Sequence, residues 1–186
     1  MFYMKRLMFL LLALLGVANG LKAQEAKPFT MDTVIYAEGR DAMALYDAAK
    51  LWLSTNVDLG SDNLTFNYDE ERRFVSGKAL IKFQVNHLTW SGMSGVITCT
   101  YNIATRDGRA RFVVTDVVHD SSGHDGWDEG LIYEEIPVER NKGIMGKQHR
   151  EVYKRVKKQV TEWFNTQSAS LASYLNMYQS IQDEDW

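Results

Sequence analysis

The stretch Ile97-Thr98-Cys99-Thr100-Tyr101-Asn102-Ile103-Ala104-Thr105-Arg106-Asp107-Gly108-Arg109-Ala110-Arg111-Phe112-Val113-Val114-Thr115 decides the fold. In its first half Ile97, Cys99, Tyr101 and Ile103 alternate with Thr98, Thr100 and Asn102; in its second, Ala110, Phe112 and Val114 alternate with Arg109, Arg111 and Val113. Successive side chains of a strand point to opposite faces, so period two with one apolar set describes a strand covered on one side and wet on the other. Asp107-Gly108 separates the halves and tolerates the positive φ angles of a tight turn. The spacing predicts two antiparallel strands joined as a hairpin.

The same period continues on the N-terminal side. Ala79, Ile81, Phe83 and Val85 alternate with Lys78, Leu80, Lys82 and Gln84, and Leu64, Phe66 and Tyr68 alternate with Thr65, Asn67 and Asp69. Asp69-Glu70-Glu71-Arg72-Arg73 reads as a charged turn between strands rather than as paired glycosidase carboxylates. Phe29 to Ala37, with Thr33, Val34, Ile35 and Tyr36, is a first strand. Asp41 then caps a helix whose Leu45, Ala48, Ala49 and Trp52 recur at i, i+3, i+4 and i+7, ending near Asn56 before a loop over Gly60–Asn63. Past Val118 the alternation breaks, and His119–Gly130 reads as a loop. Ile132, Ile136 and Val138 suggest one more short strand, and Lys142–Gly146 a turn. From Lys147 a helical period carries Val152, Val156, Val160, Trp163, Phe164, Leu171, Tyr174, Leu175 and Tyr178 over about thirty residues. The order β-α-β-β-β-β-(β)-α gives an α+β class: a curved antiparallel sheet of about five strands with two helices packed on one face.

Three segments follow one another in the chain: Ala44-Leu45-Tyr46-Asp47-Ala48-Ala49-Lys50-Leu51-Trp52-Leu53, the strand segment Val75-Ser76-Gly77-Lys78, and Gly108-Arg109-Ala110-Arg111-Phe112-Val113-Val114-Thr115-Asp116-Val117. In this order they resemble a family of exported bacterial proteins described as a domain of unknown function with a TATA-binding-protein-like (TBP-like) fold. The likeness spans roughly residues 29 to 118, and the His119–Gly146 segment departs from it as a longer insertion. It implies a fold and an exported location. It implies no activity and no functional residues, and a fold shared with a DNA-binding protein is not evidence of DNA binding.

The N-terminus agrees with export. Lys5 and Arg6 precede an apolar run from Leu7 to Ala18, long enough for a signal peptide and shorter than the ~20 residues of a bilayer span. Cleavage after Ala23 leaves Gln24 first; cleavage after Gly20, with Ala18 at −3, is the alternative. The expected organisation is a signal peptide over 1–23, one α+β domain over 24–182 and a frayed tail over 183–186. The expected location is periplasmic, cell-surface or secreted, with no transmembrane segment in the mature chain. Loss of Lys5, Arg6 and Lys22 leaves 18 of the 21 basic residues against 24 acidic ones, a formal charge of −6. That balance is poor for wrapping nucleic acid, whose affinity rests on neutralising phosphates. The single cysteine, Cys99, allows neither an internal disulfide nor a zinc cluster; it reads as a small buried hydrophobe, with a disulfide-linked dimer as the alternative.

Candidate sites are few. His119, Asp120, His124, Asp125 and Asp128 gather in the predicted loop as weak metal ligands, although neither the EF-hand pattern nor His-Glu-x-x-His spacing is present. The wet face of the sheet carries Lys78, Lys82, Gln84, Thr98, Thr100, Asn102, Arg111 and Thr115, a surface able to hold an anionic glycan, a peptide or a partner domain. Trp90, in a turn, either contacts a sugar or partner or folds back onto the core. No nucleophile elbow, P-loop or dinucleotide fingerprint occurs. The reading is an exported non-catalytic module without a cofactor. It binds an unknown protein partner or self-associates as a homo-oligomer; the alternative is a small-ligand or glycan binder.

Overall fold

A computed structural model of the chain describes residues 26–56, 66–87, 90–123 and 127–183, with side chains as far as Met177. Outside the described residues lie the signal peptide and its cleavage site, the Gly60–Asn63 loop, Leu64 and Thr65 of a predicted strand, His124 and Asp125, the side chain of Tyr178 and tail residues 184–186.

The hairpin forms as the alternation requires. Strands β4 (Gly95–Arg106) and β5 (Arg109–Ser121) pair antiparallel with Arg106 opposite Arg109, and Gly108 turns the chain at φ 74°. Ile97, Cys99, Tyr101, Ile103, Ala110, Phe112 and Val114 are all buried. Strand β3 (Phe74–Phe83) flanks β4 on its far side, and β2 (Asn67–Asp69) flanks β3 across the charged turn, where Asp69 Oδ1 accepts from Arg72 N–H at 2.9 Å. Strand β1 (Met31–Tyr36) takes the other side of β5, giving the order β1-β5-β4-β3-β2, and the two-residue β6 (Gly130–Leu131) pairs with β5 at Val118 and His119.

Both helices cover the face to which the apolar residues point. Helix α1 (Ala42–Thr55) is capped by Asp41, whose Oδ1 accepts from Ala44 N–H at 2.8 Å, and it buries Leu45, Tyr46, Ala48, Ala49, Trp52 and Leu53. Helix α2 (Gly146–Asp183) buries Val152, Val156, Val160, Phe164, Leu171 and Leu175. Phe112 of β5 binds the layers together: the Phe164 ring stacks on it with centroids 5.1 Å apart, and Trp52 meets it edge-on at 6.2 Å. The helices also bond to each other, Trp52 Nε1–H donating to Ser170 Oγ at 3.0 Å.

Three elements differ from the sequence reading. First, β5 does not stop near Val118 but runs to Ser121, so His119 and Asp120 belong to a strand, not a loop. Thr98 pairs with Val118 whereas Thr100 pairs with Thr115, so β5 carries one extra residue, a bulge at which Asp116 takes φ 51°. The extra residue slips the phase by one, so Val114 and Val117 both point inward and His119 follows them. Second, the late strand is Gly130–Leu131 and not Ile132 to Val138. Pro137 has no N–H for a ladder, its carbonyl receives the N–H groups of Arg140 and Asn141 in a turn, and Val138 is 61% exposed. Third, the long helix α2 reaches 38 residues, not about thirty.

Candidate functional site

The face of the sheet opposite the helices carries most of the predicted binding residues. Ladder register sets Lys78 beside Thr100 and Thr100 beside Thr115, Asn102 between Ser76 and Val113, and Arg111 between Ala104 and Val34. Lys78, Lys82, Gln84 and Arg111 are exposed, while Thr98, Thr100, Asn102 and Thr115 are half-buried by their neighbours. The surface is not uniformly polar. Leu80 lies opposite Thr98, Val96 opposite Lys82, Val118 beside Thr98, and Val113 beside Asn102, so aliphatic and hydroxyl groups share its centre. Arg111 is not a free cation: its Nε donates to both carboxylate oxygens of Asp32, at 3.0 and 3.1 Å, and that bonding holds the Asp32 carboxyl below its usual range. Trp90 stands apart from the strands, half-buried against the core and stacked on His87 with centroids 4.4 Å apart.

Of the five metal candidates, His124 and Asp125 lie outside the described residues, and the other three do not converge. His119 is fully buried at the end of the helix–sheet layer. Its Nε2 lies 3.0 Å from the Met93 carbonyl, which only accepts, so Nε2 carries the proton; Nδ1 receives the Glu129 N–H at 3.3 Å. Both ring nitrogens are thus committed and neither is open to a metal. Burial lowers the His119 pKa and favours the same neutral ring. Asp120, one residue on, is exposed on the opposite face in the row of Lys82 and Val96. Asp128 spends Oδ1 on the Ser121 N–H at 2.6 Å, and that bond lowers its pKa. No group of three or more His, Cys, Asp or Glu able to hold a metal occurs among the described residues.

Glu129, whose N–H reaches His119, carries its carboxylate to His149, a pair that the sequence reading did not join. Glu129 Oε1 sits 2.8 Å from His149 Nδ1, with both side chains buried. Glu129 Oε2 has no hydrogen-bond partner among the described residues. Burial raises the Glu129 pKa against the opposing pull of His149. Tyr153, one turn along α2 from His149, receives the Tyr133 N–H and donates its hydroxyl to the Tyr133 carbonyl at 3.2 Å. A signal for His149 was present: it precedes Val152 and Val156 by three and seven residues, on the apolar stripe of α2. Elsewhere in the layer, the Tyr101 hydroxyl is buried and unpartnered among the described residues, in the space that a Cβ at Gly77 would fill. The Cys99 thiol is pushed up to about 12 by burial and stays protonated.

No family model matches the chain, and no curated protein matches it. Among solved structures, a DUF4468 family protein from Bacteroides ovatus superposes with a TM-score of 0.56 at 12% identity, covering 80% of this chain and 86% of that one. A TBP-like protein from Parabacteroides distasonis gives 0.47 at 11% identity, covering 76% of this chain and 93% of that one. The likeness to the first is one of fold, and at that level it bears out the expected resemblance to a domain-of-unknown-function family. Among the described residues no helix is long and apolar enough to cross a membrane.

Proposed function

We propose that the chain is an exported, non-catalytic module that takes a protein partner on the outer face of its sheet. The observation that carries this reading is the composition of that face. Leu80, Val96, Val113 and Val118 lie among Thr98, Thr100 and Asn102, with exposed Lys78 and Lys82 at one margin, while both helices are committed to the other side. An aliphatic and hydroxyl centre with a charged rim is the common anatomy of a protein interface, and the exposed lysines stand on a chain of formal charge −3, which favours an acidic partner. Two buried groups of the kind that chemistry uses serve other ends: both His119 nitrogens hold backbone, and Cys99 is a protonated thiol.

A second reading, a small-molecule or glycan binder in the envelope, is favoured by the Tyr101 hydroxyl, a buried polar atom with no partner among the described residues. The two separate by mass. A photoreactive residue replacing Thr100 in the native host is expected to yield an adduct of protein size, lost in the Lys78→Glu/Lys82→Glu variant. Only a bound mass of a few hundred daltons, indifferent to that variant, would overturn the first reading in favour of the second.

A further inference from the structure

We infer that β1 pairs edge to edge with β1 of a second copy of this chain, joining two sheets into one. The inference uses the edge of the sheet and not its outer face, so either can fail without the other.

The phase of the β1–β5 ladder decides which backbone groups of β1 are used. Ala37 N–H donates to the Gly108 carbonyl at 2.9 Å, continuing the register in which Met31 meets Val114 and Ile35 meets Ala110. Hydrogen-bonded and non-bonded positions alternate along an antiparallel pair. The odd residues Met31, Thr33 and Ile35 therefore bond inward to β5, and Asp32, Val34 and Tyr36 turn their N–H and C=O groups outward. No backbone partner for those six groups occurs among the described residues.

Natural sheets blunt such edges with lysine, proline, a bulge or a covering element. Met31-Asp32-Thr33-Val34-Ile35-Tyr36 has none of the first three, since the bulge lies on β5, and the opposite edge strand, β2, is only three residues long. Val34 is 41% exposed and Tyr36 68% exposed, so apolar surface gathers at this edge. The single charge on the strand, Asp32, is already answered by Arg111.

A second copy fits this edge by its own symmetry. An antiparallel pairing centred on Val34 sets Val34 against the partner's Val34 and Asp32 against the partner's Tyr36. Every outward residue then meets an outward residue, and all six groups of each copy are satisfied. On the outer face the same register brings Asp32 beside the partner's Tyr36, and one strand further, about 9.6 Å away across two strand spacings, stands the partner's Arg109, because Tyr36 is paired with Arg109 within each copy. The Asp32–Arg111 pair of one copy thus stands beside the phenol of the other across the two-fold axis. The contact is isologous and closes at two copies.

Sedimentation of the purified full chain across a concentration series tests this. The wild type is expected to reach the mass of two chains. Val34→Pro removes one outward N–H while the ladder to β5 stays intact, and it should weaken association at least tenfold with the far-ultraviolet circular dichroism unchanged. Val34→Lys should do the same and decides the matter if the proline variant does not fold. Lys78→Glu/Lys82→Glu should leave the two-chain mass in place. A wild type that stays at one chain mass at high concentration overturns the inference. So does a dimer of equal strength in Val34→Lys, or one lost only on charge reversal of the outer face.

Discussion

The layer between helices and sheet has two ends of unlike chemistry. At one end Trp52, Phe112, Phe164 and Leu171 meet through rings and aliphatic carbon, and the indole N–H of Trp52 is paired with Ser170. At the other end His119, Glu129 and His149 are as deeply buried, but each is held by particular atoms: the Met93 carbonyl, the Glu129 N–H and the Glu129 carboxylate. The first end gains stability in proportion to filled volume. The second gains it only while every donor has its acceptor, because an abandoned polar atom keeps its full desolvation cost. Equal burial therefore does not mean equal tolerance: the apolar end answers to size and the polar end to completeness.

Removing the ring that touches both helices should break the apolar end most severely. Phe112→Ala is expected to lower unfolding free energy by about 3–5 kcal/mol, the usual cost of deleting a buried aromatic, read as an earlier midpoint in urea. At the polar end, His119→Leu keeps the volume but strands the Met93 carbonyl and the Glu129 N–H. A loss of about 1–3 kcal/mol is expected at neutral pH. Because burial holds the folded His119 pKa below its unfolded value, the wild type itself loses stability as pH falls through the ordinary histidine range, and the gap to the variant should narrow there. A constant gap would mean that His119 is not the buried neutral ring described.

The smallest effect, and the one of opposite sign, belongs to Glu129. Its folded pKa lies above the unfolded value, so the folded state keeps its proton longer. Its contribution is full below the ordinary carboxylate value and is lost as pH rises toward the folded one. Glu129→Gln should flatten the stability profile in that window, by thermal melts taken from acid to neutral pH, and a slope unchanged by the variant would deny the carboxyl that role.

The same contrast separates what was legible in the sequence from what was not. The apolar end announces itself by period: Leu45, Ala48, Ala49 and Trp52 on α1, Val152 through Phe164 on α2, and the alternation of β4 were all readable, as was the Asp41 cap. The polar end was hidden by a single residue. The slip at Asp116 puts His119 on the inner face of a strand where unbroken alternation would put it outside, and the surrounding Ser, Gly and Asp then read as loop. Its partner Glu129 lies ten residues away, and His149, which binds Glu129 in turn, lies thirty away, joined by packing and not by any local pattern. The outer face was half legible: register placed Lys78, Thr100, Asn102 and Arg111 together as alternation predicts, but the ion pair that occupies Arg111 depends on a strand 79 residues distant in the chain.

That distance also sets a timetable. Among the described residues β1 is the first strand to be synthesised, and its ladder partner β5 is made after every other strand except β6. At the usual ~5–20 residues per second of synthesis, Asp32 exists for about four to sixteen seconds before Arg111 does. Through that interval Met31–Tyr36 is a strand-prone segment with neither side of its backbone spoken for. The pairing of β1 must therefore wait for β5, and it need not wait for the helix that follows β5 in the chain.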